Sequence, residues 1–344
     1  MSCIRNCVKC RKYRGMAIQQ KMADLPEDRL EATEPFRFSA VDYFGPFYVK
    51  EGRSTRKRWG VIFVCMASRA VHVESANSLD TDSFINAYRR FTARRGRIQQ
   101  LRSDQGTNFI GARSEQQAML NEMNQEKIRQ TLLKESCDWI EFKMNLPKAS
   151  HMGGSWERMI RSIRSVLTCL LSDHADQLDD ELLRTFLTEA EAIVNSRPIS
   201  YQDTSSGEVK EALSPYQLLT LKSRIVLPPP GVFQREDLYC RRRWKRVQYL
   251  ANQFWQRWKM EYLCSLQQRQ RWNKVHENLC INDIVLVKDE STPRGQWPLG
   301  RVIKVYESDD KLVRKVAVRI GEKEYDRPVQ KLIYIYGCRD CNKD

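Results

Sequence analysis

The sequence predicts an α/β protein: a mixed sheet with flanking helices, then a long helical linker and a small C-terminal β-barrel. Three observations lead there. Residues 35–225 alternate apolar runs of period two with runs of period 3.6, the marks of strands and amphipathic helices. The prolines of PPPG at 228–231 then break the chain, because proline neither continues a helix nor donates to a sheet. Beyond them, residues 236–278 carry apolar side chains at threes and fours, and residues 281–336 read as short strands. The expected divisions are 1–34, a cysteine-bearing leader and linker; 35–225, the core; 226–278, a basic helical linker; and 279–336, the barrel.

FRFSAVDYFGPFYV is the first strand, with Phe38, Ala40 and Asp42 on one face. A basic turn, EGRSTRKR, leads to strands RWGVIFVCMA and AVHVES. TDSFINAYRRFTARRG is a helix: Phe84, Tyr88 and Phe91 stripe one side, Asp80 or Thr81 caps its start and Gly96 stops it. RIQQLRSD is a fourth strand ending at Asp104. A helical region around 111–134 and a strand at DWIEFKM follow. SWERMIRSIRSVLTCLLS is a strongly amphipathic helix with Ser155 as its expected N-cap and Trp156, Met159, Ile160, Ile163, Leu167 and Leu170 as its buried stripe. Three strands, then helix, strand, helix, strand and helix, is the element order of a ribonuclease H-like fold. In the linker, Leu238, Trp244, Val247, Leu250, Phe254, Trp258 and Tyr262 predict a helix packed by its aromatic face rather than a platform for stacking bases. INDIVLVK, LGRVIKVYE, LVRKVAVRIG, KEYDRPV and QKLIYIY are five strands of a Src-homology-like barrel with a long loop at 289–298.

The formal charge is +15, a field that attracts polyanions, of which nucleic acid is the commonest. No apolar run approaches the ~18 residues of a membrane span, and no signal-peptide stretch opens the chain. A membrane partner and secretion are therefore not expected, and the setting is nuclear or cytoplasmic. The eleven cysteines are odd in number and mostly scattered, which fits reduced thiols.

Three acidic residues stand out. Asp42 sits among apolar neighbours, where a carboxylate is costly unless paired or metal-bound, although an edge position facing solvent would also explain it. Asp104 lies where a strand gives way to a polar turn, an ordinary place for aspartate. Glu157 falls in the first turn of its helix, where glutamate is favoured by the dipole. That helix says more: Glu157, Arg161 and Arg164 share a face at i, i+4 and i+7, so one face offers a carboxylate and two phosphate-binding cations. Gly153 and Gly154 before it allow a loop that closes on substrate.

VDYFGPF around Asp42, RSDQGTNF around Asp104 and HMGGSWERMIRSIRS around Glu157 together resemble retroelement integrases, specifically those of BEL/Pao-type long-terminal-repeat retrotransposons. QKMADLPEDRL, NSRPIS, LSPYQLL and RRWKRVQYLANQFWQRWK resemble the same family, so the likeness spans nearly the whole chain. The resemblance implies that Asp42, Asp104 and Glu157 are the DDE triad of a polynucleotidyl transferase holding two Mg²⁺ or Mn²⁺ ions. It implies 3′-end processing by water and transfer of those ends into target DNA. It also implies a homo-oligomer, and DNA and chromatin as partners. Fifty-two residues separate Asp104 from Glu157, a longer spacing than in retroviral relatives. The excess is expected in the helical insertion at 111–138, with Glu141 as the competing third carboxylate. Asn108 and His151 are candidate substrate contacts, each also explicable as a turn residue. Arg242, Arg243, Lys245 and Arg246 are candidate phosphate contacts.

Cys7 and Cys10 have C-x-x-C spacing that suits zinc, and relatives complete such a site with two upstream histidines. Only six residues precede Cys7 and none is histidine, so this is read as a zinc-module remnant without a folded zinc site. A pairing with Cys338 and Cys341 is not expected either. A retroelement-derived protein that binds nucleic acid or chromatin without catalysis remains the alternative. An unrelated metal-dependent nuclease is disfavoured by the flanking motifs.

Overall fold

The computed structural model describes residues 33–103, 141–144, 154–174, 177–199, 213–222, 227–266, 278–289 and 292–337, with the backbone alone at 141–144 and 154–158. All of them belong to one compact unit, Thr33–Asp344.

Strand β1 (Phe38–Glu51) is the centre of the first sheet, and its alternation builds two cores. Ala40 and Phe44 point to one face, and Val41 and Tyr43 to the other. Between Phe44 and Phe47 the register slips by one residue at Gly45–Pro46, so that Phe47 and Val49 rejoin the face of Phe44. β2 (Ser54–Cys65) pairs antiparallel with β1, and β3 (Val71–Ala76) with β2. The expected basic turn EGRSTRKR is mostly strand: β1 runs to Glu51 and β2 restarts at Ser54, leaving Gly52 and Arg53 as the connection. Gly52 has φ +63, which glycine adopts freely. Gly60 has another reason to be glycine. A Cβ there would lie 2.2 Å from the ring of Phe44, the residue opposite it on β1.

Helix α1 (Thr81–Arg95) packs Phe84, Ala87, Tyr88 and Phe91 on the Val41 face. Asp80 is its N-cap, accepting from the Ser83 amide at 2.7 Å, and Gly96 its C-cap at φ +84. The chain returns as β4 (Gln100–Ser103), parallel to β1, and β5 (Glu141–Met144), parallel to β4. The order β3-β2-β1-β4-β5, with three antiparallel strands followed by two parallel ones, is the ribonuclease H-like arrangement. The helical region expected at 111–134 lies outside the described residues.

α2 (Gly154–Asp173) and α3 (Asp180–Asn195) cover the Ala40 face with Ile160, Ile163, Leu167, Leu170, Leu183 and Phe186 among others. α2 begins at Gly154, so Ser155 lies inside its first turn rather than capping it. α3 also shields the outer edge of β3. The Asn195 amide donates to Val71 O at 2.7 Å and accepts from Val71 N at 2.8 Å, and Glu191 accepts from Val73 N at 2.9 Å. These side chains occupy backbone groups through which an open edge would recruit another strand. The short α4 (Pro215–Thr220) carries a capping box from Ser214 to Gln217.

α5 (Arg243–Leu266) lays Val247, Leu250, Phe254, Trp255 and Trp258 into the α2/α3 core. The aromatic-face expectation holds for these residues; Trp244 is the departure, 49% exposed and edge-on to Phe233. A second sheet follows: β6 (Ile284–Val287), β7 (Leu299–Glu307), β8 (Val313–Ile320), β9 (Lys323–Pro328) and β10 (Leu332–Tyr336). It is wholly antiparallel in the order β10-β6-β7-β8-β9, with a 3-10 turn, Val329–Lys331, joining its two end strands.

Candidate active site

Asp42 lies on the middle strand of five, which excludes the edge position that would have explained it trivially. Its side chain is 18% exposed and sits on the face that α2 covers. One oxygen, Oδ1, accepts from the Tyr43 amide at 2.8 Å. The other, Oδ2, meets the Arg164 guanidinium at 3.2 Å. Arg164, expected to serve phosphate, thus ties α2 to the central strand by an ion pair. Burial makes that partner necessary, since a half-buried carboxylate without positive charge is costly.

The parallel pairing of β1 with β4 sets the level of the second carboxylate. Val41 pairs with Ser103, so the two chains leave this pair toward Asp42 and toward Asp104 respectively. Asp104 itself lies outside the described residues, as do Asn108 and His151. Glu157 is on the first two turns of α2, with its backbone described and its side chain not. It precedes Arg164 by seven residues, two helical turns, on the same face. Arg161, the intermediate member of that face, is exposed. Among the described residues no three histidine, cysteine, aspartate or glutamate side chains gather in a metal-holding group.

Glu141 can be judged by register. It pairs with Gln100, which in turn pairs with Phe38. Glu141 therefore sits four residues back from the level of Asp42, about 13 Å along the strands. It belongs to the other end of the sheet.

The basic cluster at the start of α5 is largely engaged within the chain. Arg243 meets Asp179 at 3.1 Å and Glu181 at 2.7 Å. Lys245 reaches Asp237 at 3.4 Å, helping hold that carboxyl below its usual range, after the larger effect of the Gln234 amide. Arg246 donates to Cys240 O at 2.7 Å. Arg242 precedes the helix and is exposed. The cysteine pairs Cys7/Cys10 and Cys338/Cys341 lie outside the described residues.

The sequence reading assigned no role to a buried ionic cluster on the α1 side of β3. His72 Nε2 lies 3.1 Å from Glu74, and its Nδ1 lies 3.3 Å from Glu191. Arg90 and Arg94 of α1 close on Glu74 at 2.7 and 3.0 Å, and Arg95 pairs with Glu191. Arg95 Nε also lies 3.2 Å from Nδ1, where it could donate only to an unprotonated nitrogen. Two flanking carboxylates favour the protonated ring, one N–H to each. The available signal was His72 and Glu74 at i, i+2 on one strand, opposite arginines at i, i+4 on the next helix.

A family model described as a family of unknown function (DUF5641) matches residues 242–335. No curated protein matches the chain. Among solved structures, a chain in the cryo-EM structure of the simian T-cell lymphotropic virus intasome in complex with the PP2A regulatory subunit B56 gamma is 12% identical. That alignment covers 98% of this chain and 90% of that one, with a TM-score of 0.39. The HTLV-2 integrase catalytic core domain in complex with magnesium aligns in its dimeric form at 14% identity and in its trimeric form at 15%. Both cover 55% of this chain and 99% of theirs, with TM-scores of 0.33 and 0.32. At these scores the likeness is slight.

Proposed function

We propose that the chain is the integrase part of a BEL/Pao-type retroelement, a DDE polynucleotidyl transferase with Asp42, Asp104 and Glu157 as metal-binding catalytic residues. The observation that carries the reading is the pairing of Val41 with Ser103 beneath a helix fastened to Asp42 by Arg164. Val41 and Ser103 immediately precede Asp42 and Asp104 in the sequence, so the register of β1 with β4 fits this assignment. Glu157 is about 10.5 Å up the helix axis from Arg164, on the same face. The assignment supposes that the Asp42 and Asp104 carboxylates and that of Glu157 on the covering helix meet at one site. The motifs around each of the three support the same assignment.

The donor set suits hard divalent cations. Asp42 offers carboxylate oxygens, and its Oδ2 already draws a guanidinium, so the position selects positive charge. Mg²⁺ or Mn²⁺, as a pair, would supply activation of the attacking hydroxyl and stabilisation of the leaving oxygen. The chain's own part is to hold Asp42 rigidly on the central strand, with the Tyr43 amide fixing one carboxylate oxygen. Arg164 balances the charge of Asp42 until the cations bind, and the exposed Arg161 is available to a phosphodiester. The formal charge of +15 serves DNA association generally. Chromatin contact, homo-oligomerisation and residence in nucleus or cytoplasm belong to the same proposal. So does the division at 35–225, 226–278 and 279–336.

The Arg164–Asp42 ion pair also suits a second reading, a retroelement-derived binder of nucleic acid or chromatin that no longer catalyses. A strand-transfer assay with Mg²⁺ on oligonucleotides matching candidate element ends separates the two. Joined product that disappears in Asp42→Asn, Asp104→Asn and Glu157→Gln, with DNA affinity retained, supports the integrase. DNA bound but never joined by the wild-type chain supports the binder.

A further inference from the structure

A cavity of about 330 Å³ opens where α2, the end of α3, α5 and β10 meet. Its walls are mainly apolar, with Met159, Ile199, Trp258, Leu266 and Ile335 among them. Its polar end is cationic. Arg197, 2% exposed, donates to Val194 O at 2.8 Å and to Arg69 O at 2.5 Å. Those carbonyls take two of the five N–H donors a guanidinium carries. Arg69, in the β2–β3 turn, lines the same end, and Tyr262 donates its hydroxyl to Pro198 O at 3.0 Å. Among the described residues no acidic side chain lines the cavity, and neither arginine has a carboxylate in ion-pair range. Two guanidinium groups therefore border one cavity, with carbonyl dipoles alone to offset them among the described residues. Desolvation pushes the Arg197 pKa down to about 10, and the charge on Arg69 adds to the fall while Tyr262 opposes it. A buried cation with that deficit favours an anion beside it.

We propose that this cavity binds a small organic anion, a carboxylate or phosphate monoester carried on an aromatic or apolar body. The acid group would face Arg197 and Arg69, and the body would lie against Trp258, Ile335 and Leu266. The space equals roughly ten waters at ~30 Å³ each, enough for a single ring and its acid group. Fully apolar ligands would leave the guanidinium groups without a counter-charge; free inorganic phosphate would leave the apolar walls without contact. Met159 and Ser162 on the cavity wall belong to α2, two and five residues beyond Glu157, so occupancy bears on the helix that carries the proposed third carboxylate. The site stands without that assignment.

Isothermal titration of the full chain with benzoate, phenyl phosphate, benzyl alcohol and inorganic phosphate tests the proposal, with no metal or DNA present. Expected is saturable one-to-one binding of benzoate or phenyl phosphate, at least tenfold tighter than either benzyl alcohol or inorganic phosphate. Arg69 has φ +55, a conformation asparagine tolerates, so Arg69→Asn should remove the charge without straining the turn. It should weaken organic-anion binding at least tenfold, and Leu266→Trp, narrowing the cavity from α5, should do the same. Equal affinity for benzyl alcohol would reduce the site to an apolar void. Equal affinity for inorganic phosphate would reduce it to general attraction by a basic protein. No saturable binding, or binding unchanged in both variants, would overturn the proposal.

Discussion

Arg164 and the proposed metal ions compete for one carboxylate, and that competition can be measured. Arg164→Met keeps the apolar stem but removes the charge 3.2 Å from Asp42. Without metal the variant should melt below wild type, because a half-buried carboxylate loses its partner. Added Mg²⁺ should then raise its Tm by more than it raises the wild-type Tm, since ligand binding to the folded state stabilises in proportion to affinity. Equal shifts would remove Asp42 from the metal site. His72 gives a second residue-scale test. It is buried, and desolvation alone would lower its pKa, but hydrogen bonds to Glu191 and Glu74 outweigh that and raise it above the ordinary 6.5. Stability from such a group is complete below 6.5 and is lost as pH climbs through the folded-state value. Glu74 is the mirror case. Burial would raise its pKa, but His72 and Arg90 lower it from the ordinary 4.5, so its contribution is complete above 4.5 and fails in acid. Unfolding free energy should therefore decline as pH rises from 6.5, and His72→Gln should flatten that decline in urea titrations. A decline of the same slope in the variant would exclude the imidazolium as its source. Single residues were the least legible part of the sequence. Asp42 was found by its apolar setting, but nothing local said that Arg164 would hold it or that Glu191 would join Glu74 on His72, because the Asp42–Arg164 and His72–Glu191 contacts join residues more than a hundred positions apart.

Elements were more legible, because periodicity is a local property. The two faces of β1, the Asp80 and Gly96 ends of α1 and the aromatic stripe of α5 all follow from spacing. The failures have physical causes as well. EGRSTRKR is polar, and polarity resembles a turn, yet a long hairpin arm exposed to water is polar too; β2 carries Ser54 to Lys57 in just that state. The N-cap expectation at Ser155 missed by two residues, because the helix already begins at Gly154. The shielding of β3 by α3 could not be read at all, since Asn195 and Glu191 resemble ordinary residues near a helix end. Asn195→Ala should leave the Val71 amide and carbonyl buried without partners, at a cost of about 1–3 kcal/mol for each group. Chemical unfolding measures that loss. Exposure of the edge should also promote self-association, detectable by sedimentation at rising protein concentration. A variant as stable and as monodisperse as wild type would mean that water replaces the asparagine.

For the whole molecule, α5 is the joint between the two sheets. Leu263 sits with Leu286 and Ile333 of the second sheet, while Phe254 and Trp258 sit in the core of the first. Trp297, on the β6–β7 connection, completes the joint: its ring meets Trp255 edge-on at 4.9 Å and Tyr262 at 5.5 Å. Its indole N–H donates to the Ser196 hydroxyl at 3.1 Å, reaching the end of α3. The sequence marked this loop only as long, since nothing in 289–298 reveals what its tryptophan will meet. Packing Trp297 against Trp255, Trp258, Tyr262 and a polar partner makes the second sheet depend on the first, so the wild-type chain should unfold in one calorimetric transition. Truncating a fully buried tryptophan costs about 3–5 kcal/mol and the half-buried Trp297 should cost less, but here the loss falls on the contact between the sheets more than within either. Trp297→Ala should therefore split the transition, with the β6–β10 sheet melting first and the first sheet following near its original temperature. Truncating a tryptophan that served only its own sheet would lower one transition without dividing it, so the number of calorimetric peaks decides whether α5 and Trp297 couple the two halves or merely lie between them.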